Sequence, residues 1–183
     1  PTFEHLANGS SNAPLVGEKG MLTDGGVRVP FVAAWPGMIP ANTQYGHLVS
    51  SLDIAATALA ASGQPVPNTF RGQNLLPALT DESLPPVRES LYWRFLTQAA
   101  VRTQNWKVVA LSDGQRFLFD MSSPQGEREN LAEVRPDLLE TMLADLSRWA
   151  EGLQPPGLPS GPLHEGDRVF YQHHGLLENP DTQ

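Results

Sequence analysis

Only two lysines stand against ten arginines in the 183 residues. One of them, Lys19, lies in a glycine-bounded stretch, Asn12-Ala-Pro-Leu-Val-Gly-Glu-Lys-Gly-Met-Leu-Thr-Asp-Gly-Gly-Val-Arg-Val-Pro30. Glycine lets a backbone approach a ligand closely, and an ammonium is a compact cation that can point at a phosphate or sulfate oxygen. In open α/β sheets the ligand crevice lies off the carboxyl ends of strands, whereas this loop precedes a strand-like run. Topology alone does not favour a site, and a solvated loop lysine is the simpler local reading. Asp24 is most simply a turn former before Gly25-Gly26. Arg28, at the start of the apolar run, reads as half of a buried structural ion pair before it reads as a catalytic group.

The other chemistry-bearing residues point to less. His173-His174 has no further His or carboxylate at ligand spacing, so a solvated pair is the simpler reading than a metal site. His5, His47 and His164 are isolated. Tyr92-Trp93-Arg94-Phe95 and Trp106 have the look of a nucleic-acid platform. The net charge of −8 and the lack of a basic patch make packing the better assignment, and the same charge argues against an anionic membrane surface. No run approaches the ~18 apolar residues of a membrane span. The chain has no cysteine, which excludes disulfides, thiolate metal sites and cysteine nucleophiles within it. No GxSxG, phosphate-loop, dinucleotide or zinc-helix signature occurs. Asn8-Gly9-Ser10 fits the N-glycosylation acceptor pattern. The chain begins at Pro1, with no initiator Met or signal segment, as a processed protein or an excerpt of a longer one would.

The elements that must position these residues divide by composition. Residues 1–26 are rich in turn formers. Residues 27–35 are β-branched and aromatic, and the second half of that run lacks polar side chains, which predicts a strand buried on both faces of a sheet. Pro36-Gly37 closes it. Ser50 or Ser51 caps a predicted helix with Asp53 in its first turn, ending near Gly63. Its body is small and apolar nearly all round, so it is expected to lie against a sheet. A helical turn fits 74–79, and 81–86 reads as a linker. Residues 90–96, 99–111 and 117–121 are β-rich. Asp113-Gly114 signals a hairpin, and Asn105 splits the middle run, so three or four antiparallel strands are expected. Residues 135–153 form the clearest helix, with one apolar face at helical spacing. From Gln154 a Pro- and Gly-rich tail is expected to be extended or disordered unless another surface holds it down.

The ordered series of motifs resembles the second half of the type I sulfatases, of the alkaline-phosphatase-like superfamily. The series begins with Asn12-Ala-Pro-Leu-x-Gly-Glu-Lys-Gly20, Asp24-Gly-Gly-Val-Arg-Val-Pro30 and Trp35-Pro-Gly. It continues through Val49-Ser-Ser-Leu-Asp53, Arg71-Gly-Gln-Asn-Leu-Leu-Pro77, Tyr92-Trp-Arg94, Ala100-Val-Arg102, Trp106-Lys107, Leu118-Phe-Asp120 and Glu127-Arg-Glu-Asn-Leu131, covering 12–153. One departure is Asp53-Ile-Ala-Ala-Thr57, where relatives often have Asp-x-x-Pro-Thr.

The resemblance implies an α/β chain: the remainder of an alkaline-phosphatase-like domain over 1–82, then a small α+β subdomain over 83–153, its antiparallel sheet packed by one long helix, and a tail over 154–183. It implies hydrolysis of sulfate esters with calcium and a formylglycine. Lys19 matches the lysine that contacts the sulfate, and Asp24 and Arg28 stand as structural residues near it. The family's Cys/Ser-x-Pro-x-Arg nucleophile motif occurs nowhere here. The expected partners are therefore a sulfate-ester substrate and a missing N-terminal half that carries nucleophile and metal ligands, the segment alone being inactive. A periplasmic or secreted home follows from the family. The alternatives are a phosphonate or phosphodiester hydrolase of the same superfamily, or a stand-alone fragment with a structural or binding role.

Overall fold

A computed structural model describes residues 11–81, 83–154 and 165–178. His5, the Asn8-Gly9-Ser10 pattern, His164 and the prolines and glycines of 155–162 lie outside the described residues. The chain forms two compact units, one comprising residues up to Val29 together with those from Tyr92 onward, the other Pro30–Leu91.

The first unit is built on a four-stranded sheet of order β1-β2-β3-β4, made of Ser90–Phe95, Gln98–Thr103, Trp106–Leu111 and Arg116–Asp120. β2 and β3 are antiparallel, as are β3 and β4, with Arg102 opposite Lys107 and Lys107 opposite Phe119. The chain turns at Asn105, as its break in the apolar run predicts, and again at Gly114, where φ is +97°. Strand side chains alternate between faces, and each face has its own core. Val101, Val108 and Leu118 pack with Met142 and Leu146 of α4 (Pro136–Glu151), the long amphipathic helix. Tyr92 lies on this side, stacked on Trp149 at 5.2 Å with its hydroxyl donating to Asp145 at 2.7 Å. The aromatic cluster is thus packing, as the charge balance suggested.

On the opposite face Ala100, Val109, Leu111, Phe117 and Phe119 pack with Met21, Leu22 and Tyr171. Met21 and Leu22 come from the Lys19 loop, which leads into α1 (Asp24–Val27). Tyr171 comes from α5 (Glu165–His173). Residues read as an unsupported tail therefore contain a helix, and the sheet is the surface that holds it.

The second unit contains α2 (Leu52–Ala61) and α3 (Leu76–Thr80). The Ser50 hydroxyl accepts from the Leu52 N–H at 3.3 Å at the start of α2, while Ser51 makes no side-chain cap, and the fully buried Asp53 braces the same end. Its carboxylate accepts from the Ser50 N–H and the Gln73 N–H, each at 2.7 Å, and pairs with Arg88. The Thr57 hydroxyl accepts from the Leu75 N–H at 3.0 Å. The Asp53 to Thr57 spacing thus puts both acceptors where they hold residues 73–75 along α2.

The buried strand expected over 27–35 is not formed. The run begins with the last residue of α1 and continues as irregular, exposed backbone: Val29 is 72% exposed, Phe31 49% and Val32 90%. A strand needs neighbours to satisfy its N–H and C=O groups, and among the described residues none pairs with this segment. For the same reason α2, expected against a sheet, leaves Leu52 and Ile54 more than half exposed.

Candidate functional site

Lys19 sits at a corner of the chain. The Met21 N–H donates to the Glu18 carbonyl at 3.0 Å, closing a four-residue turn with Lys19 and Gly20 in its centre. Gly20 has φ +102°, the left-handed conformation that the third position of a type II turn requires and that glycine adopts without strain. The Lys19 side chain is exposed, while its neighbour Glu18 is buried and approaches His174 Nε2 at 3.5 Å.

The loop then folds back on itself. The Gly25 N–H donates to the Val16 carbonyl at 2.7 Å. A Cβ on Gly26 would lie 2.1 Å from the Met21 carbonyl oxygen and 2.6 Å from that of Glu18. The second glycine of Gly25-Gly26 is thus required because the backbone of α1 runs against both ends of the Lys19 turn.

Below this loop lies a buried charge cluster. Asp24 is 4% exposed and Lys107 is fully buried. Lys107 Nζ is 2.9 Å from Asp24 Oδ1 and 2.7 Å from Glu127 Oε1, with its ammonium 5.8 Å from the Trp93 ring centroid. Arg102 Nη1 donates to both Asp24 oxygens at 2.8 Å. Glu127, from the 3-10 turn Gly126–Arg128, accepts the Asp24 N–H at 2.7 Å and so satisfies a free donor at the start of α1. Burial alone would push the Asp24 carboxyl up, but Lys107 and then Arg102 outweigh it and hold it below the ordinary 3.8. Glu127 goes the other way, raised above 4.5 chiefly by burial, with the Asp24 charge adding to it.

Of the residues singled out in the sequence, Asp24 is the centre of this cluster and far more than a turn former. Arg28 is at its edge, 3.7 Å from Asp24 with a side chain 65% exposed, so the buried ion pair expected of Arg28 is made instead by Arg102 and Lys107. His173 and His174 pack edge to face at 5.1 Å. Sequence reasoning assigned no role to Arg102, Lys107 or Glu127. The signal that locates the first two is strand parity: Arg102 and Lys107 share the face of Ala100 and Val109, so they point inward. Among the described residues no group of three or more His, Cys, Asp or Glu could hold a metal ion, and no helix is long and apolar enough to cross a membrane.

An exposed ammonium on a braced, glycine-supported turn has the chemistry to meet an anion, and the sheet with its covering helices holds that turn in place. Residues 17–148 match the model of the family described as N-sulphoglucosamine sulphohydrolase, C-terminal, and the chain belongs to that family. It is 29% identical to human arylsulfatase A over 175 residues, which span 78% of this chain and 34% of the relative. It is 34% identical to human arylsulfatase K over 126 residues, 60% of this chain and 23% of the relative. Among solved structures, the crystal structure of i-CgsB in complex with a neocarrahexaose superposes with a TM-score of 0.72 at 25% identity, covering 93% of this chain and 38% of that one. The chain thus spans between 19% and 34% of the curated relatives it matches, and the sulfatase resemblance of its motifs is borne out.

Proposed function

We propose that this chain is the C-terminal portion of a sulfuric ester hydrolase acting on sulfate monoesters, and that Lys19 contacts the sulfate. The observation that carries the reading is the Lys19 turn: an exposed cation held at a fixed corner, within the stretch where the family match begins. The ammonium would offset charge on the sulfuryl oxygens as the S–O bond to the leaving group breaks. Asp24, Arg102, Lys107 and Glu127 act beneath it, tying α1 to β2 and β3 so that the turn does not shift.

The calcium and formylglycine that the family implies do not fit the residues of this chain. There is no cysteine and no Cys/Ser-x-Pro-x-Arg sequence to convert, and the described residues offer no carboxylate cage. Both belong on the part of the protein outside this sequence, and the segment by itself is expected to be inactive. The family's description as an N-sulphoglucosamine sulphohydrolase and the oligosaccharide in complex with i-CgsB support a sugar as the carrier of the sulfate.

In the intact protein Lys19→Ala is expected to lower aryl-sulfate turnover by orders of magnitude, as loss of a transition-state charge contact does. Near-unchanged kinetics would remove Lys19 from the site. Side-by-side rates on aryl sulfate and aryl phosphodiester substrates decide the ester class, and a preference for the phosphodiester would overturn the sulfatase assignment.

A further inference from the structure

The Lys19 turn is held from outside its own loop. The Gly20 carbonyl accepts a 2.9 Å hydrogen bond from Gln98 Nε2. The other end of that amide, Oε1, accepts a 2.6 Å bond from the Tyr171 hydroxyl. Gln98 is 2% exposed and Tyr171 fully buried. An amide has one accepting and one donating end. The hydroxyl donates to the oxygen, which leaves the NH2 group, and not a second carbonyl, facing Gly20. The Gly20 carbonyl can only accept, so it fixes which end of the amide faces it, and the Tyr171 hydroxyl anchors the other end. Three residues on, just past α5, His174 Nε2 lies 3.5 Å from Glu18, so this end of the helix meets Glu18 directly and Gly20 only through Gln98.

We propose that Tyr171 and Gln98 form a relay that positions the Lys19 ammonium, making α5 a positioning element of the anion site. This rests on the reading of Lys19 as the sulfate contact. Packing alone does not account for the hydroxyl. The Tyr171 ring stacks on Phe117 at 5.8 Å and lies beside Met21 and Leu22, contacts that a phenylalanine would make equally well. A buried hydroxyl is costly unless bonded, and its bond leads through one side chain to the backbone beside Lys19.

The test is a double-mutant cycle in the intact enzyme. Tyr171→Phe keeps the ring and deletes the hydroxyl; Gln98→Met keeps the length and deletes the amide. Each is expected to lower kcat/KM on an aryl sulfate by about tenfold or more, since small displacements of a catalytic contact are costly. In a Lys19→Ala background the same changes should alter the residual kcat/KM by less than about twofold, because the group they position is gone. A merely structural role would lower the active fraction by the same factor in both backgrounds. Equal losses, or no loss with Lys19 present, would overturn the relay and leave the Lys19 assignment standing. A Lys19→Ala enzyme with unchanged turnover would overturn both. Gln98→Met carries the test if Tyr171→Phe does not accumulate as folded protein.

Discussion

Lys107 faces two carboxylates whose protons respond to pH in opposite senses. Glu127 is held above its ordinary 4.5, so its contribution to stability is complete below that value and is lost as pH rises through the folded one. Asp24 is held below 3.8, so its contribution is present above that value and is lost as pH falls through the folded one. Glu127→Gln removes the first titration and leaves the second. Urea denaturation across pH 4 to 7 is therefore expected to show the variant gaining on the native protein as pH rises, while below pH 3.8 the acid limb from Asp24 persists in both. A gap that does not vary with pH would mean that Glu127 titrates normally. The cluster was half legible in the sequence. Asp24 and Lys19 stand out by their glycine flanks, but the partners of Asp24 lie 78 and 83 positions away. No local pattern connects residues that only the sheet brings together.

The elements that carry this cluster were legible in proportion to how locally each is determined. α4 was readable from a single apolar face, and β2, β3 and β4 from Asn105 and Asp113-Gly114, because a turn and a periodicity are properties of neighbouring residues. α1 was not, since its four residues are helical through Glu127 capping the first N–H and through close backbone approach. α5 was hidden in a tail whose prolines and glycines dominate its composition. At this scale the glycine pair makes a distinct prediction. Gly26→Ala would place a methyl against the Met21 and Glu18 carbonyl oxygens, which are backbone and cannot swing away. The variant is expected to lose stability by about 1–3 kcal/mol, as overpacking does, and to lose sulfate-ester turnover through displacement of the Lys19 turn. Gly114→Ala, where a Cβ would meet nothing within 4 Å and φ is +97°, should cost stability through backbone strain and leave turnover per folded molecule unchanged. A comparable loss of turnover in both variants would detach the Lys19 turn from α1.

For the molecule as a whole, the residues that the sequence marks as most buried are among the most exposed. Val29, Phe31 and Val32 lie open to solvent in one run, and exposed apolar surface of that kind marks a place where another surface belongs. The composition of 27–35 predicts an interior strand that the structure does not form, because composition cannot supply the neighbour a strand pairs with. The chain spans only 34% of arylsulfatase A and 38% of the i-CgsB structure, and the prediction at this scale is that the 27–35 run packs against sheet outside this sequence. Val32→Asp distinguishes the two situations. On a free surface a valine at 90% exposure should tolerate the change within about 0.5 kcal/mol. Placed inside a sheet, the same carboxylate is an unpaired buried charge costing several times that. Val134, 68% exposed at a turn of the other unit, provides the control for the same substitution. In the intact protein Val32→Asp is expected to abolish or sharply reduce cooperative unfolding and soluble yield, with Val134→Asp close to native in both. If the two variants unfold alike, the 27–35 run is surface in the whole protein too, and the missing sheet is not where its sequence says it should be.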